Sequence, residues 1–198
     1  IERWVMFRTN QGTDAHLNRL TTVSELHPYC PAIVVGEIAS KTKVIRGGHA
    51  IFALRDETGE IDCAAYEPTG HFRDIVRRLI PRDEVKAYGG VRLDGDSGRM
   101  TLNLEKLEVT GLSQDIRLSN PTCPRCGRRM ESMGREQGYR CRRCHIREPK
   151  PRKRAVEVKR DLTPGLYLPP PRAQRHLTKP LERYGREKSG FLPCEPYE

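Results

Sequence analysis

The sequence predicts a mainly β protein made of two small modules and an extended C-terminal segment. Three observations predict it. Apolar residues alternate with period two in several short runs between residues 31 and 110, two CxxC pairs flank an arginine-rich stretch at residues 123–144, and seven prolines punctuate residues 162–198.

The first module is a succession of short strands. Residues 32–39, AIVVGEIA, form an apolar, β-branched run and so a strand, followed by the basic loop KTKVIRGG. In residues 49–55, Ala50, Phe52 and Leu54 alternate with Ile51, Ala53 and Arg55. DETG at 56–59 supplies a hairpin turn, after which Ile61, Cys63 and Ala65 alternate with Asp62 and Tyr66. Cys63 reads as a small buried hydrophobe. Thr69 then offers a helix cap, and Phe72, Ile75, Val76, Leu79 and Ile80 follow the spacing of an amphipathic helix that Pro81 ends. Two further strands are predicted over residues 84–92 and 99–109, joined by LDGDSG. Apolar parity shifts between Leu104 and Leu107, which predicts a bulge. Three strands, a helix and two strands in this order predict a five-stranded OB-fold barrel, with a generic small barrel as the alternative.

Function in such barrels comes from aromatic platforms for bases and cationic groups for backbone phosphates. The candidates are Lys41, Lys43 and Arg46 on the first loop, Arg55 and Tyr66 on the second and third strands, and Lys86, Tyr88 and Arg92 on the fourth. Each reads equally as a solvated charge or a half-buried ring.

The second module is CPRCGRRMESMGREQGYRCRRC. Cys123 and Cys126 are separated by two residues, fourteen intervene, and Cys141 and Cys144 repeat the pair. This spacing aims four thiolates at one tetrahedral structural Zn²⁺ and leaves no open coordination position, so no catalytic role is assigned to the metal. A redox pair or disulfide is the competing reading of a CxxC, and His145 the competing ligand. Gly127 and Gly138 suit the ribbon's turns. Arg125, Arg128, Arg129, Arg140, Arg142 and Arg143 project charge from this frame, and PKPRKRAVEVKR continues it as an arm or a phosphate-contacting strand.

Charge is distributed to match. Of a net +10 over 198 residues, residues 121–160 carry 14 Lys+Arg against 4 Asp+Glu, while residues 1–120 carry 16 against 17. The whole surplus therefore lies on the metal-binding module, an electrostatic footprint for phosphates. With 36% hydrophobic and 6% aromatic residues, the chain suits small modules better than one large core. No apolar run approaches the roughly 18 residues of a membrane span, and the cysteine pattern reads as intracellular and metal-binding, with Cys30, Cys63 and Cys194 single. A cytoplasmic location is expected. The opening at Ile1, with no charged segment before an apolar one, predicts no signal peptide and suggests a piece of a longer protein.

Two stretches remain. FRTNQGTDAHL at residues 7–17 concentrates polar groups around Gly12. Asp14 could pair with a guanidinium or ammonium, and Asn10, Gln11 and Thr13 could orient an amine or phosphate, with His16 beside them. The competing reading has Thr13 or Asp14 capping a helix through His16, Leu17 and Leu20. Residues 162–198, including PPP at 169–171, read as an extended tail that either wraps the body or stays mobile. The expected division is 1–28, a leading segment and linker; 29–112, the barrel; 119–160, the ribbon with its basic extension; and 161–198, the tail.

FRTNQGTDAHL, RGGHAIFALRDETGEIDCAAYEPTGHFR, TLNLEKLEV, CPRC/CRRC and PGLYLPPPRAQRHLTKPLERYG, in this order, resemble the C-terminal half of the archaeal agmatidine synthetases. These enzymes are also called tRNA-isoleucine 2-agmatinylcytidine synthetases. The resemblance implies an ATP-dependent ligase that joins agmatine to C2 of the wobble cytidine of isoleucine tRNA, so that AUA is decoded. It implies ATP and agmatine as substrates, isoleucine tRNA with a CAU anticodon as partner, and an N-terminal catalytic half. It makes residues 1–28, with the polar stretch 7–17, the end of a preceding substrate-binding, ferredoxin-like domain that holds agmatine, with a linker, and gives tRNA to the barrel and ribbon. Neither GxxxxGK[ST] nor a kinase glycine-rich loop occurs here, so the chain is expected to bind tRNA without modifying it. The competing functions are a stand-alone nucleic-acid-binding or translation-associated protein, and a ribbon that mediates protein assembly.

Overall fold

The computed structural model describes all residues except 1, 2, 6, 8, 96, 150–152 and 187–198. The last of these ranges contains Cys194 and the end of the predicted tail. The chain divides into two compact units. One is formed by Ile1–Ser113 with Leu162–Glu198, the other by Gln114–Asp161.

The first unit is built on β1 (Pro31–Ile38), β2 (Lys43–Val44), β3 (Ala50–Arg55), β4 (Glu60–Ala65), α1 (His71–Arg77), β5 (Glu84–Leu93) and β6 (Met100–Gly111). β1 pairs antiparallel with both β5 and β3, and β4 pairs parallel with β6, so the path β1-β5-β6-β4-β3 returns to β1 and closes a five-stranded barrel. Closure removes the exposed edges of a small sheet. The predicted inward faces fill it: Val34, Ala50, Phe52, Leu54, Cys63, Leu102 and Leu107 are all buried in one apolar cluster. The helix covers the core with Phe72 and Val76, joined by Leu79 from just beyond its end.

Two expectations need correction. Thr69 does not cap α1, because its hydroxyl donates to the Tyr66 carbonyl within a preceding 3-10 turn and Gly70 takes the cap position. The helix also ends at Arg77, before Pro81. Its last two predicted apolar positions lie beyond that end, with Leu79 buried and Ile80 half-buried.

The parity shift in the last strand is a bulge. Gly89 pairs with Leu104 and Tyr88 with Lys106, so Glu105 is the extra residue. Gly89 is required there, since a Cβ would lie 2.1 Å from the Asn103 carbonyl oxygen. The bulge has a further effect: Leu104 and Leu107 both keep to the core, while Glu105 and Lys106 are redirected to the outside of the barrel.

The outside of the barrel at that point is covered. The tail's β12 (Gly165–Tyr167) adds antiparallel to β6, Leu162 joins the core, and the chain then turns back over the polar stretch. The Gly12 N–H donates to the His176 carbonyl and the Asp14 N–H to that of Leu177, at 2.9 and 2.8 Å. No helix forms at residues 11–16, which are turns, so the capping reading of Thr13 and Asp14 falls.

In the second unit, β8 (Glu131–Ser132), β9 (Tyr139–Arg140) and β10 (Arg147–Glu148) form a small sheet. Beside it β7 (Ile116–Ser119) pairs antiparallel with β11 (Arg154–Glu157). The part of the basic extension at residues 154–157 is therefore a strand, while residues 150–152 lie outside the described residues. β7 was not foreseen, because IRLS is too short and too exposed to leave a pattern.

Candidate nucleic-acid interface and metal centre

The ligand atoms of Cys123, Cys126, Cys141 and Cys144 all lie within 4.8 Å of one another, with Cys126 Sγ and Cys141 Sγ 3.6 Å apart. A tetrahedron with Zn–S bonds of about 2.3 Å has edges of about 3.8 Å, so the four sulfurs fit one zinc ion. The two CxxC turns are built alike. Gly127 N–H donates to the Cys123 carbonyl and His145 N–H to that of Cys141, both at 2.9 Å, with φ of 69° and 57° at the two residues. His145 is thus the left-handed counterpart of Gly127 at the end of a knuckle, with an exposed side chain, and is not among the ligands. The Cys144 N–H points at Cys141 Sγ from 3.4 Å and pulls that thiol down to about 7. Met130 is buried against Cys123 and Cys141, with Tyr139 and Ile146 packed around them. So small an apolar cluster cannot hold the unit alone, and the metal supplies the folding energy.

Arg125, Arg128, Arg129, Arg140, Arg142 and Arg143 are all exposed or half-exposed on this frame. Arg142 pairs with Glu131 at 2.7 Å, yet keeps a side chain 77% exposed.

On the barrel, Lys41, Lys43 and Arg46 stand on the loop between β1 and β3, and all three are exposed. The loop is fixed from below. Arg73 and Arg77 of α1 both donate to the Gly48 carbonyl, at 2.6 and 3.1 Å, and His49 Nδ1 accepts the Glu67 N–H at 3.0 Å. The His49 ring meets Tyr66 edge-on at 5.1 Å, and the Tyr66 hydroxyl donates to Asn103 Oδ1 at 3.2 Å. These contacts hold an exposed aromatic ring beside a loop of exposed cations. Register carries the same face across the barrel, through Ala64, Asn103 and Gly90 in one row and Asp62, Thr101 and Arg92 in the next. Lys43, Tyr66 and Arg92 therefore belong to one exposed side, with Arg46 on the loop that follows Lys43.

Arg55 and Tyr88 stand elsewhere. Arg55, at the end of β3, is matched by Glu60 at 2.5 Å and Glu37 at 3.8 Å. Tyr88 pairs across the bulge with Lys106 and lies with Lys86, whose Nζ is 5.4 Å from its ring centroid; its hydroxyl donates to Glu108 at 3.0 Å.

The polar stretch supplies a second centre, with Asp14 in the middle. Asp14 Oδ2 accepts from Lys106 Nζ and, at 2.8 Å, from the Tyr184 hydroxyl; Oδ1 accepts the Lys179 N–H at 2.7 Å. Burial works to raise the Asp14 carboxyl, but these donors outweigh it and hold the group below the ordinary carboxylate range. Burial, reinforced by Asp14, raises the Tyr184 phenol and keeps it a donor. Lys106 is 1% exposed, so its ammonium depends on Asp14 for compensation. Two residues along, His16 Nε2 lies 2.8 Å from Glu105 Oε2, and Arg175 Nη1 lies 3.3 Å from Glu105 Oε1. Asn10, Gln11 and Thr13 are exposed, with the Thr13 hydroxyl donating to the Asn10 carbonyl at 2.6 Å. Gly12 lets the tail come close, since a Cβ there would sit 2.8 Å from Arg183 Nη1. Lys106 and Glu105 were not among the expected residues, and Tyr184 was expected only within a tail cluster that could touch nucleic acid. The bulge signalled that something leaves the core at 105–106, but not that another segment covers it.

A closed OB barrel with an exposed aromatic and cationic side, together with an arginine-studded four-cysteine ribbon, defines the class: a nucleic-acid-binding protein with a structural zinc module. Comparison with known proteins agrees and goes further. Residues 32–110 match the model described as an OB-fold nucleic acid binding domain, and residues 120–162 match the TiaS C-terminal zinc ribbon domain. The chain is 48% identical to TiaS of Staphylothermus marinus, a tRNA-isoleucine 2-agmatinylcytidine synthetase, over 94% of this chain and 41% of that protein. It is 46% identical to the one from Methanosarcina mazei, over 98% and 44%. Among solved structures, apo TiaS superposes with a TM-score of 0.69 at 40% identity, covering 88% of this chain and 40% of that one. A complex of TiaS with its isoleucine tRNA and ATP gives 0.68 at 38%, covering 88% and 39%. The chain matches the C-terminal part of these tRNA-isoleucine 2-agmatinylcytidine synthetases. It spans less than half the length of the relatives it matches.

Proposed function

We propose that this chain is the tRNA-gripping C-terminal part of an ATP-dependent ligase that attaches agmatine to C2 of the wobble cytidine of isoleucine tRNA. The observation that carries the reading is agreement in order, over 94% of the chain, with a synthetase named for that product. A related structure is described as a complex of TiaS with its isoleucine tRNA, AMPCPP and agmatine, which supports ATP and agmatine as the substrates. In this reading the phosphoryl chemistry belongs to a partner half outside these residues.

Each module then has a role. Lys43, Arg46 and Arg92 neutralise backbone phosphates around the Tyr66 platform, and on the ribbon Arg128, Arg129, Arg142 and Arg143 neutralise phosphates of their own. Arg55 and Tyr88, which stand elsewhere on the barrel, take no part in this contact. Zinc gives the ribbon its shape. Asn10, Gln11 and Thr13 present a polar edge to agmatine or to the partner half, and Asp14 and His16 set that edge by anchoring it to Lys106 and Glu105. The cytoplasm is the compartment that fits a tRNA ligase, and no helix among the described residues is long and apolar enough to cross a membrane.

The test is a titration of the zinc-loaded chain with isoleucine tRNA and with oligo-dT of matched charge, across a range of salt. Preferential, steeply salt-dependent binding of tRNA is expected. Equal affinity for the two ligands would refute the reading.

A further inference from the structure

Beside the Tyr66 side lies a cleft with a volume of about 260 Å³, bordered by His16, Tyr29, Gly90, Arg92 and Arg175. We propose that it is a pocket for one unstacked nucleotide of single-stranded RNA, with the base on Tyr29 and the phosphate between Arg92 and Arg175. The proposal rests on the RNA-binding reading above and deepens it.

Tyr29 is 70% exposed and holds φ at 66°, an outlier for a bulky residue. It persists because flanking backbone leaves no choice. The Tyr29 N–H donates to the Val91 carbonyl, and the Val91 N–H donates to that of Cys30, both at 2.9 Å. A strained, well-tethered backbone that holds an aromatic ring in water has no use in packing, and such strain concentrates at binding sites. A ring so placed is a stacking surface for any base.

The cations are set out around it. Arg92 is exposed, with no carboxylate in ion-pair reach among the described residues. Arg175, 53% exposed, and His16 are both fixed by one carboxylate, Glu105, which is 8% exposed and was turned out of the barrel by the bulge. That shared anchor sets the two side chains before any ligand arrives, which lowers the ordering cost of binding. The Nδ1 atom of His16 is buried without a partner, an unmet hydrogen-bonding group at the back of the cleft. Size selects the ligand class. The cleft lies just below the range of about 300–1,000 Å³ typical of drug-sized ligands, so it takes one base and not a stacked pair.

Continuity with the barrel's exposed side supports the same ligand. Gly90, in the cleft, is the register partner of Asn103, which holds the Tyr66 hydroxyl. A strand whose base stacks on Tyr66 can pass over Gly90, which has no side chain to block it, and place a neighbouring nucleotide in the cleft.

The zinc-loaded chain is titrated at low salt with pentauridine, with the same pentamer carrying a central abasic site, and with tRNA. Tyr29→Gly removes the ring without backbone strain at this φ, and Tyr29→Phe keeps the ring. Tyr29→Gly is expected to weaken pentauridine binding about five-fold or more, Tyr29→Phe to leave it near wild type, and the abasic pentamer to distinguish the two variants little. Arg92→Ala should weaken all three ligands. If Tyr29→Gly unfolds at the wild-type midpoint and binds pentauridine as tightly as wild type, the pocket is refuted; loss of binding confined to Tyr66→Ala would refute it too. Wild-type chain that binds neither tRNA nor pentauridine would instead overturn the RNA-binding reading itself, and the pocket with it.

Discussion

Replacing Asp14 by Asn isolates the charge on which the polar stretch and the tail converge. Asn tolerates the left-handed backbone at φ 59° and retains one acceptor for the Lys179 N–H, so what it chiefly removes is the counter-charge of Lys106. Breaking a buried pair from one side costs about 3–5 kcal/mol because the other ion is stranded. The Asp14 side chain is 15% exposed and that of Lys106 1%, which puts the expected loss at the lower end, about 3 kcal/mol. Lys106→Met leaves Asp14 its Tyr184 and Lys179 donors and should cost less, about 1–3 kcal/mol. In urea denaturation of the zinc-loaded chain, the double variant should therefore recover at least about 1 kcal/mol relative to the summed single losses. Because the folded Asp14 carboxyl is depressed, the pair's contribution is fully present above the unfolded value near 4 and is lost as pH falls through the lower folded one. A coupling below about 0.5 kcal/mol, the size of an exposed ion pair, would refute a buried, tail-locking role for Asp14.

Removing zinc with a chelator should unfold Gln114–Asp161 and leave the barrel's strand signals intact in an NMR spectrum; loss of both together would show that the barrel depends on the metal. Gly89→Ala should destabilise the barrel by more than about 2 kcal/mol, measured by denaturation, because its Cβ would press on the Asn103 carbonyl at 2.1 Å. Arg128→Ala with Arg129→Ala should lower the salt slope of tRNA binding by up to about 2, one for each phosphate left unneutralised, with no change in melting temperature. Thiol labelling of the folded chain should modify exposed Cys30 and spare Cys63, whose burial raises its thiol far above neutrality.

Much of this protein is carried by local pattern. Alternation in Ala50–Arg55 and Glu60–Ala65 marks strands and their inward faces, since side chains on a strand change face at every residue. The four cysteines mark the metal centre, since tetrahedral ligation from two tight turns leaves few other spacings. The parity break before Leu107 marks a bulge. None of these patterns carries information about what covers a surface.

That was decided only in three dimensions. Asp14 lies 92 residues from Lys106 and 170 from Tyr184, and neither separation leaves a trace in sequence. The tail's prolines forbid helix but do not say where an extended chain goes; the unfilled edge of β6 and the charge turned out by the bulge settle that. Tyr29 and Arg175, far apart in the chain, meet at one cleft for the same reason. Sequence by itself determined the modules, their order, the inward faces and the zinc ligands, because each depends on near neighbours. Tertiary structure decided the role of the polar stretch, because an ion pair or a cleft depends on which distant surfaces the closed barrel brings together.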